Sequence, residues 1–191
     1  MAADLDVKID AMDWAEAQNR LLAGNVDALM QINPNPRRLE RMAFSDPLLV
    51  TDFTLFRRTE RLDLIGADSL NGQRIGAERA SFPAELVART DGAIPVDIDH
   101  LRDGLRAVSV GTLDGIVVDN WVGLHLIQQL GIENLTPAGQ PLATSTSRIA
   151  VLKDRTALLT DINRGLRLID ESGERQRGTC FNLSLPIITT D

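Results

Sequence analysis

The sequence holds a single cysteine, Cys180, in 191 residues, which excludes an internal disulfide framework and any cysteine-based zinc site. Its two histidines, His100 and His125, lie far apart, and neither has a second ligand four residues on. They read as solvated or core-edge histidines, and no metal site is expected. There is no tyrosine and there are two tryptophans, too few rings to pave a sugar site. Basic charge is in deficit. With 20 Lys and Arg against 27 Asp and Glu, the net charge is −7. A nucleic-acid binder needs a basic face, so none is expected. No apolar run approaches the roughly 18 residues of a membrane span. The acidic start Met1-Ala2-Ala3-Asp4-Leu5-Asp6 lacks the basic and apolar regions of a signal peptide. The chain is expected to be soluble, and so abrupt a start also fits a piece cut from something longer.

The motifs of common chemistries are missing as well. There is no G-x-x-x-x-G-K-[ST] phosphate loop, no G-x-G-x-x-G after a strand, no G-x-S-x-G elbow and no H-E-x-x-H. Carboxylates are plentiful, but no pair stands out as acid and base. No enzyme and no cofactor are expected. The competing class is a small-acid lyase or dehydratase using a cleft acid such as Asp119 or Glu78.

What is present is a foldable chain, 43% apolar and 25% charged, enough for one domain or two small lobes. Leu5 to Asp10 alternates apolar and charged residues, which predicts a strand. Asp13 reads as the N-cap of a helix through Trp14 and Leu22, stopped by Gly24. Strands are predicted at Val26–Ile32, Leu48–Arg57, Arg74–Ala77, Ile94–Val96, Leu113–Val118 and Ser147–Lys153. Helices are predicted from Ser81, over His100–Val110 and Asn120–Leu130, and from Thr156 to a stop at Gly173. Asn33-Pro34-Asn35-Pro36 reads as a loop. Alternating helices and strands predict an α/β class with mainly parallel sheets.

One pattern repeats. Leu22-Ala23-Gly24-Asn25-Val26-Asp27-Ala28-Leu29 matches Ser109-Val110-Gly111-Thr112-Leu113-Asp114-Gly115-Ile116. Each reads helix, glycine, aliphatic, aspartate, buried strand, with the aspartate expected to tie its turn. Either these are two ordinary helix-to-strand turns, or they mark two similar lobes with a ligand between them.

Three segments together resemble the type 2 periplasmic solute-binding family. The first runs from Trp14 through Gly24 and Asp27 to Arg38, then to Phe44-Ser45-Asp46-Pro47-Leu48. The second is Leu70-Asn71-Gly72-Gln73-Arg74-Ile75-Gly76, followed by Ser81. The third is Gly111-Thr112-Leu113-Asp114-Gly115-Ile116-Val117-Val118-Asp119. The wording around Met30-Gln31-Ile32-Asn33-Pro34 and Phe53-Thr54-Leu55-Phe56 looks most like periplasmic sensor domains of membrane-bound histidine kinases and diguanylate cyclases. The resemblance implies a two-lobed fold, with lobe 1 from residues 1–58 plus 149–179, lobe 2 from 59–148, and an apolar tail at 180–191. It also implies two extended crossings, near Phe56–Glu60 and Ser145–Ile149. The family's opening strand, proline-aromatic loop and helix have no counterpart, so lobe 1 is expected to be incomplete.

By the same resemblance, Arg38 holds a ligand carboxylate, Ser81 sits at an anion-favouring helix start, and Asp119 accepts from an α-ammonium. Gln31 and Asn33 add polar contacts. The alternatives are a surface salt bridge of Arg38 with Glu40 or Glu85, and an N-cap role for Asp119. Trp14 reads as core. The implied function is an extracytoplasmic sensor domain binding an amino acid or small carboxylate; the alternative is the binding protein of an amino-acid ABC transporter. Membrane contact is expected only through a missing tether. The tail Phe181–Thr190 is expected to fill the slot of the absent strand, within the chain or in a homodimer.

Overall fold

The structure, a computed structural model, describes residues 7–173. Helix α1 (Trp14–Leu22) is built of strong helix formers, with Asp13 in the extended N-cap conformation and a Glu16–Arg20 pair one turn apart. It leads to β1 (Ala28–Ile32), the short α2 (Pro36–Leu39), β2 (Met42–Phe44) and the ten-residue β3 (Leu49–Arg58). Then come β4 (Arg74–Glu78), α3 (Phe82–Ala88), β5 (Ile94–Ile98), α4 (Leu101–Ser109), β6 (Gly115–Asp119) and α5 (Asn120–Leu130). The described chain closes with β7 (Leu135–Pro137), the ten-residue β8 (Ala143–Leu152) and α6 (Thr156–Glu171).

The strands form one curled sheet in the order β1-β8-β3-β6-β4-β5, with β2 also on β8 and β7 also on β3. The long strands β3 and β8 organise it. They lie side by side over Leu49–Phe53 and Ala143–Ser147. From there β3 continues against β6 and β7, whereas β8 continues between β1 and β2. The sheet thus has a smaller end (β1, β2, α1) and a larger end (β3–β7, α3–α5), joined by two strands.

Strand period explains the cores. Phe53 and Leu55 point to one face of β3 and pack with Ile75, Ala77 and Val117. Phe56 points to the other face and packs with Ile116, Val118, Leu105 and Val108 beneath α4 and α5. A third cluster, Leu21, Leu29, Ile32, Met42 and Ala150, fills the smaller end.

Two expectations need correction. The sheet is not mainly parallel. Among the described residues, only the β4–β5 and β4–β6 pairings are parallel, and the other five are antiparallel. Parallel neighbours need helical crossovers, and only the β4–α3–β5–α4–β6 run supplies them; β3 and β8 traverse the sheet in opposite senses. The strand expected over Leu5–Asp10 is absent from its described part, since Val7–Asp10 are irregular and exposed. Alternation supplies a face, but a strand also needs an edge to pair with. Ala150 pairs with Leu29 on one side and Phe44 on the other, so β8 lies between β1 and β2, and β1 is an end strand of the sheet among the described residues. The tail expected to fill the slot of the absent strand lies outside the described residues.

The repeated turn is reproduced in its backbone. Gly24 and Gly111 both stand in the left-handed region, at φ 73° and 85°, just past the ends of α1 and α4. The second aspartate does something different from the expectation. Asp114 Oδ2 accepts from the Arg74 backbone N–H at 2.8 Å and Oδ1 from Arg61 at 2.9 Å, tying β4 to a neighbouring loop rather than closing its own turn.

Candidate functional site

Helix geometry places Trp14 and Gln18 one turn apart on the face of α1 that looks toward the larger end. In α2, Asn35 caps by accepting from the Arg38 backbone N–H at 2.8 Å, which fixes where the Arg38 side chain begins. That side chain is buried. Its guanidinium donates to the Asn33 carbonyl at 2.7 Å, to the Ala80 carbonyl at 2.8 Å and to Gln18 Oε1 at 3.1 Å. It lies over the Trp14 ring, 5.8 Å from the centroid. Each of these partners is neutral, so neither Glu40 nor Glu85 forms the salt bridge considered as an alternative. Glu85 instead accepts from Asn35 Nδ2. Burial lowers the guanidinium's hold on its proton, and the charge of Glu85 offsets this in part.

Two more donors reach the same Ala80 carbonyl: Trp14 Nε1 at 3.2 Å and Gln18 Nε2 at 3.4 Å. Ala80 is a non-glycine residue at φ 57°. The next residue, Ser81, is buried and caps α3, its hydroxyl accepting from the Ala84 N–H at 3.2 Å. Asn33 is buried, and its amide donates to the Ser145 hydroxyl at 3.0 Å. Arg38, Ser81 and Asn33 therefore gather at one place, where α1 and α2 meet the start of α3.

Asp119 and Gln31 stand apart. Asp119 is the N-cap of α5, its Oδ1 accepting from the backbone N–H groups of Trp121 and Val122 at 2.8 and 3.0 Å. Burial raises its affinity for a proton; the two N–H groups oppose that and nearby Asp52 adds to it. The N-cap reading of Asp119 is thus the one its bonds realise. It ends β6 opposite Phe53, and the next paired position but one on β3, Thr51, faces Ser145, the partner of Asn33. Gln31 is exposed at φ 57°, where the β1–β8 register slips between Leu29 and Ile32.

Sequence reasoning did not place Gln18 and Ala80 beside Arg38, while Trp14, read as core, packs against the Leu21 cluster as well as under the guanidinium. The i, i+4 spacing of Trp14 and Gln18 was readable. The convergence on a backbone carbonyl was not, since it depends on how α1 docks. On the opposite flank of α1 lies a cleft of about 510 Å³, lined among others by Asp13, Glu16, Glu78, Arg79, Asp99 and His100. His100 Nδ1 is 3.3 Å from Asp13 Oδ1. Burial, helped by Asp13 and opposed by His100, pushes the Glu78 carboxyl up to about 7.

A curled α/β sheet spanned by two long shared strands, with polar groups gathered where its ends face each other, defines the two-lobed fold of small-molecule-binding proteins. The chain belongs to the bacterial extracellular solute-binding proteins, family 3, whose model matches residues 1–178. A probable amino-acid ABC transporter-binding protein of Haemophilus influenzae is 23% identical over 182 residues, covering 95% of this chain and 68% of that protein. A histidine kinase sensor domain with similarity to periplasmic binding proteins superposes with a TM-score of 0.83 at 25% identity, over 90% of this chain and 76% of that one. An amino acid ABC transporter substrate-binding protein from Streptococcus pneumoniae, solved bound to L-arginine, shares the fold with a TM-score of 0.82 at 16% identity, over 94% of this chain and 78% of that one.

Proposed function

We propose that the chain is an extracytoplasmic, periplasmic sensor domain that binds a small amino acid or carboxylate between two lobes, 1–58 plus 149–179 and 59–148. The observation that carries the ligand class is the buried Arg38 guanidinium bonded only to neutral oxygens. A buried cation without an anionic partner is costly, and a planar fork recognises a carboxylate by two parallel hydrogen bonds. Ser81 and Asn33 border the same place. Asp119 serves a ligand ammonium through the oxygen that does not cap α5, once the lobes close on it. Gln31 contributes only if its strand turns inward.

Calorimetry with a panel of L-amino acids and small carboxylates tests this. A member of the panel is expected to bind, and Arg38→Ala is expected to cost about 2–5 kcal/mol of binding, the loss typical of breaking a buried charge pair. No binding by any member, or equal binding by a folded Arg38→Ala, overturns the reading.

The sensor role is supported by the likeness to a histidine kinase sensor domain. The H. influenzae relative favours the transporter role instead. The complete gene separates them. A membrane segment followed by a kinase or cyclase domain supports the sensor, and a neighbouring permease and ATPase support transport.

A further inference from the structure

Three donors from the smaller end converge on one acceptor of the larger end. Trp14 Nε1, Gln18 Nε2 and Arg38 Nη2 all donate to the Ala80 carbonyl, at 3.2, 3.4 and 2.8 Å. A carbonyl oxygen has two lone pairs, so three donors exceed what it serves well. One of the three is a buried cation, and a guanidinium fork suits the charge and paired oxygens of a carboxylate better than a single neutral carbonyl. Ala80 reaches this position in the left-handed region, at φ 57°, a conformation that strains any residue with a Cβ. The acceptor position is thus built to suit an anionic oxygen better than the strained peptide that fills it.

We propose that the Ala80 carbonyl stands in for a ligand carboxylate oxygen, that binding proceeds by exchange at this point, and that Gln18 is the residue positioning Arg38 through the exchange. The proposal rests on the reading of Arg38 as the carboxylate anchor. Gln18 is placed for the task by both ends of its amide. Its Oε1 accepts from Arg38 Nη2 at 3.1 Å while its Nε2 reaches the Ala80 carbonyl and, at 3.5 Å, the Trp14 carbonyl on its own helix. With the Asn33 carbonyl on Nη1, the guanidinium keeps two partners from the smaller end whatever occupies the third place. Every group aimed at that place is a donor, so it selects an acceptor and repels an ammonium. Binding swaps one bond across the two ends rather than adding one.

The test uses the full chain carrying Trp121→Phe, which replaces an exposed ring and leaves Trp14 as the sole tryptophan. The Trp14 indole N–H resonance is followed while acetate, acetamide or methylammonium is added at constant ionic strength. Acetate is expected to move the resonance saturably; acetamide and methylammonium are not. Gln18→Leu is expected to weaken the acetate response about tenfold, the loss typical of one hydrogen bond to a charged group. Gln18→Glu, which keeps an acceptor for Arg38 but adds a negative charge beside the incoming oxygen, is expected to weaken it further. A resonance that stays still under acetate while an amino acid binds in the calorimeter overturns the exchange and leaves the amino-acid reading standing. Equal responses of wild type and Gln18→Leu overturn the role of Gln18. A saturable acetate response with no amino acid bound upholds the exchange and removes the amino-acid reading. Silence in both experiments removes both.

Discussion

At the scale of single residues, the consequential groups are charges that burial shifts and no salt bridge holds. Arg38 is one. Glu78 is another, half-buried between α1 and the ends of β4 and β5, with its carboxyl raised from 4.5 to about 7 by burial and by Asp13. The folded protein therefore keeps a proton on Glu78 that the unfolded chain releases between about 4.5 and 7. The sign follows from linkage: stability falls as pH rises through that window. Glu78→Gln is expected to be more stable than wild type at pH 8 and close to it at pH 4. Urea midpoints measured at both pH values check this, and an equal difference at the two would refute the assignment.

At the scale of elements, α5 packs so close to β3 that the contact has no room for a methyl group. A Cβ on Gly123 would lie 2.5 Å from Phe56 Cε2 and 3.0 Å from Val118 Cγ1. Phe56 is fully buried and has nowhere to withdraw. Gly123→Ala gains helix propensity but overpacks the core, and the second effect is larger. The variant is expected to lose about 1–3 kcal/mol, read from its denaturation midpoint. A neutral or stabilising result would mean that α5 slides outward on its strand.

At the scale of the whole molecule, β3 packs the larger end and β8 the smaller, and the two pair directly over Leu49–Phe53 and Ala143–Ser147, so the ends share one continuous sheet. Unfolding is therefore expected to be a single cooperative transition, although the fold has two lobes. In the Trp121→Phe chain, Trp14 fluorescence reports the smaller end and far-UV circular dichroism the whole. Their urea midpoints are expected to coincide. Separate midpoints would show that the β3–β8 pairing yields before the lobes do.

The sequence by itself determined most of the elements and their order. Helix formers bounded by Asp13 and Gly24, the left-handed turns at Gly24 and Gly111, and the Ser81 cap are local devices, and local devices are legible in the chain. It also carried the family, because ordered short motifs survive where overall identity is low. Pairing was decided elsewhere. Whether strands run parallel depends on which edges meet, and only the fold shows that β8 lies antiparallel between β1 and β2. The site divided along the same line. Arg38, Ser81 and Asn33 were readable as polar groups in motifs. Their meeting at the Ala80 carbonyl, with Trp14 and Gln18, depends on the docking of α1 and α2 against the start of α3. Asp119 shows the reverse limit: the sequence offered both a ligand contact and an N-cap, and the bonds to Trp121 and Val122 show that it caps α5. A side chain's type fixes what it can bond, and the tertiary structure fixes what stands within 3 Å of it.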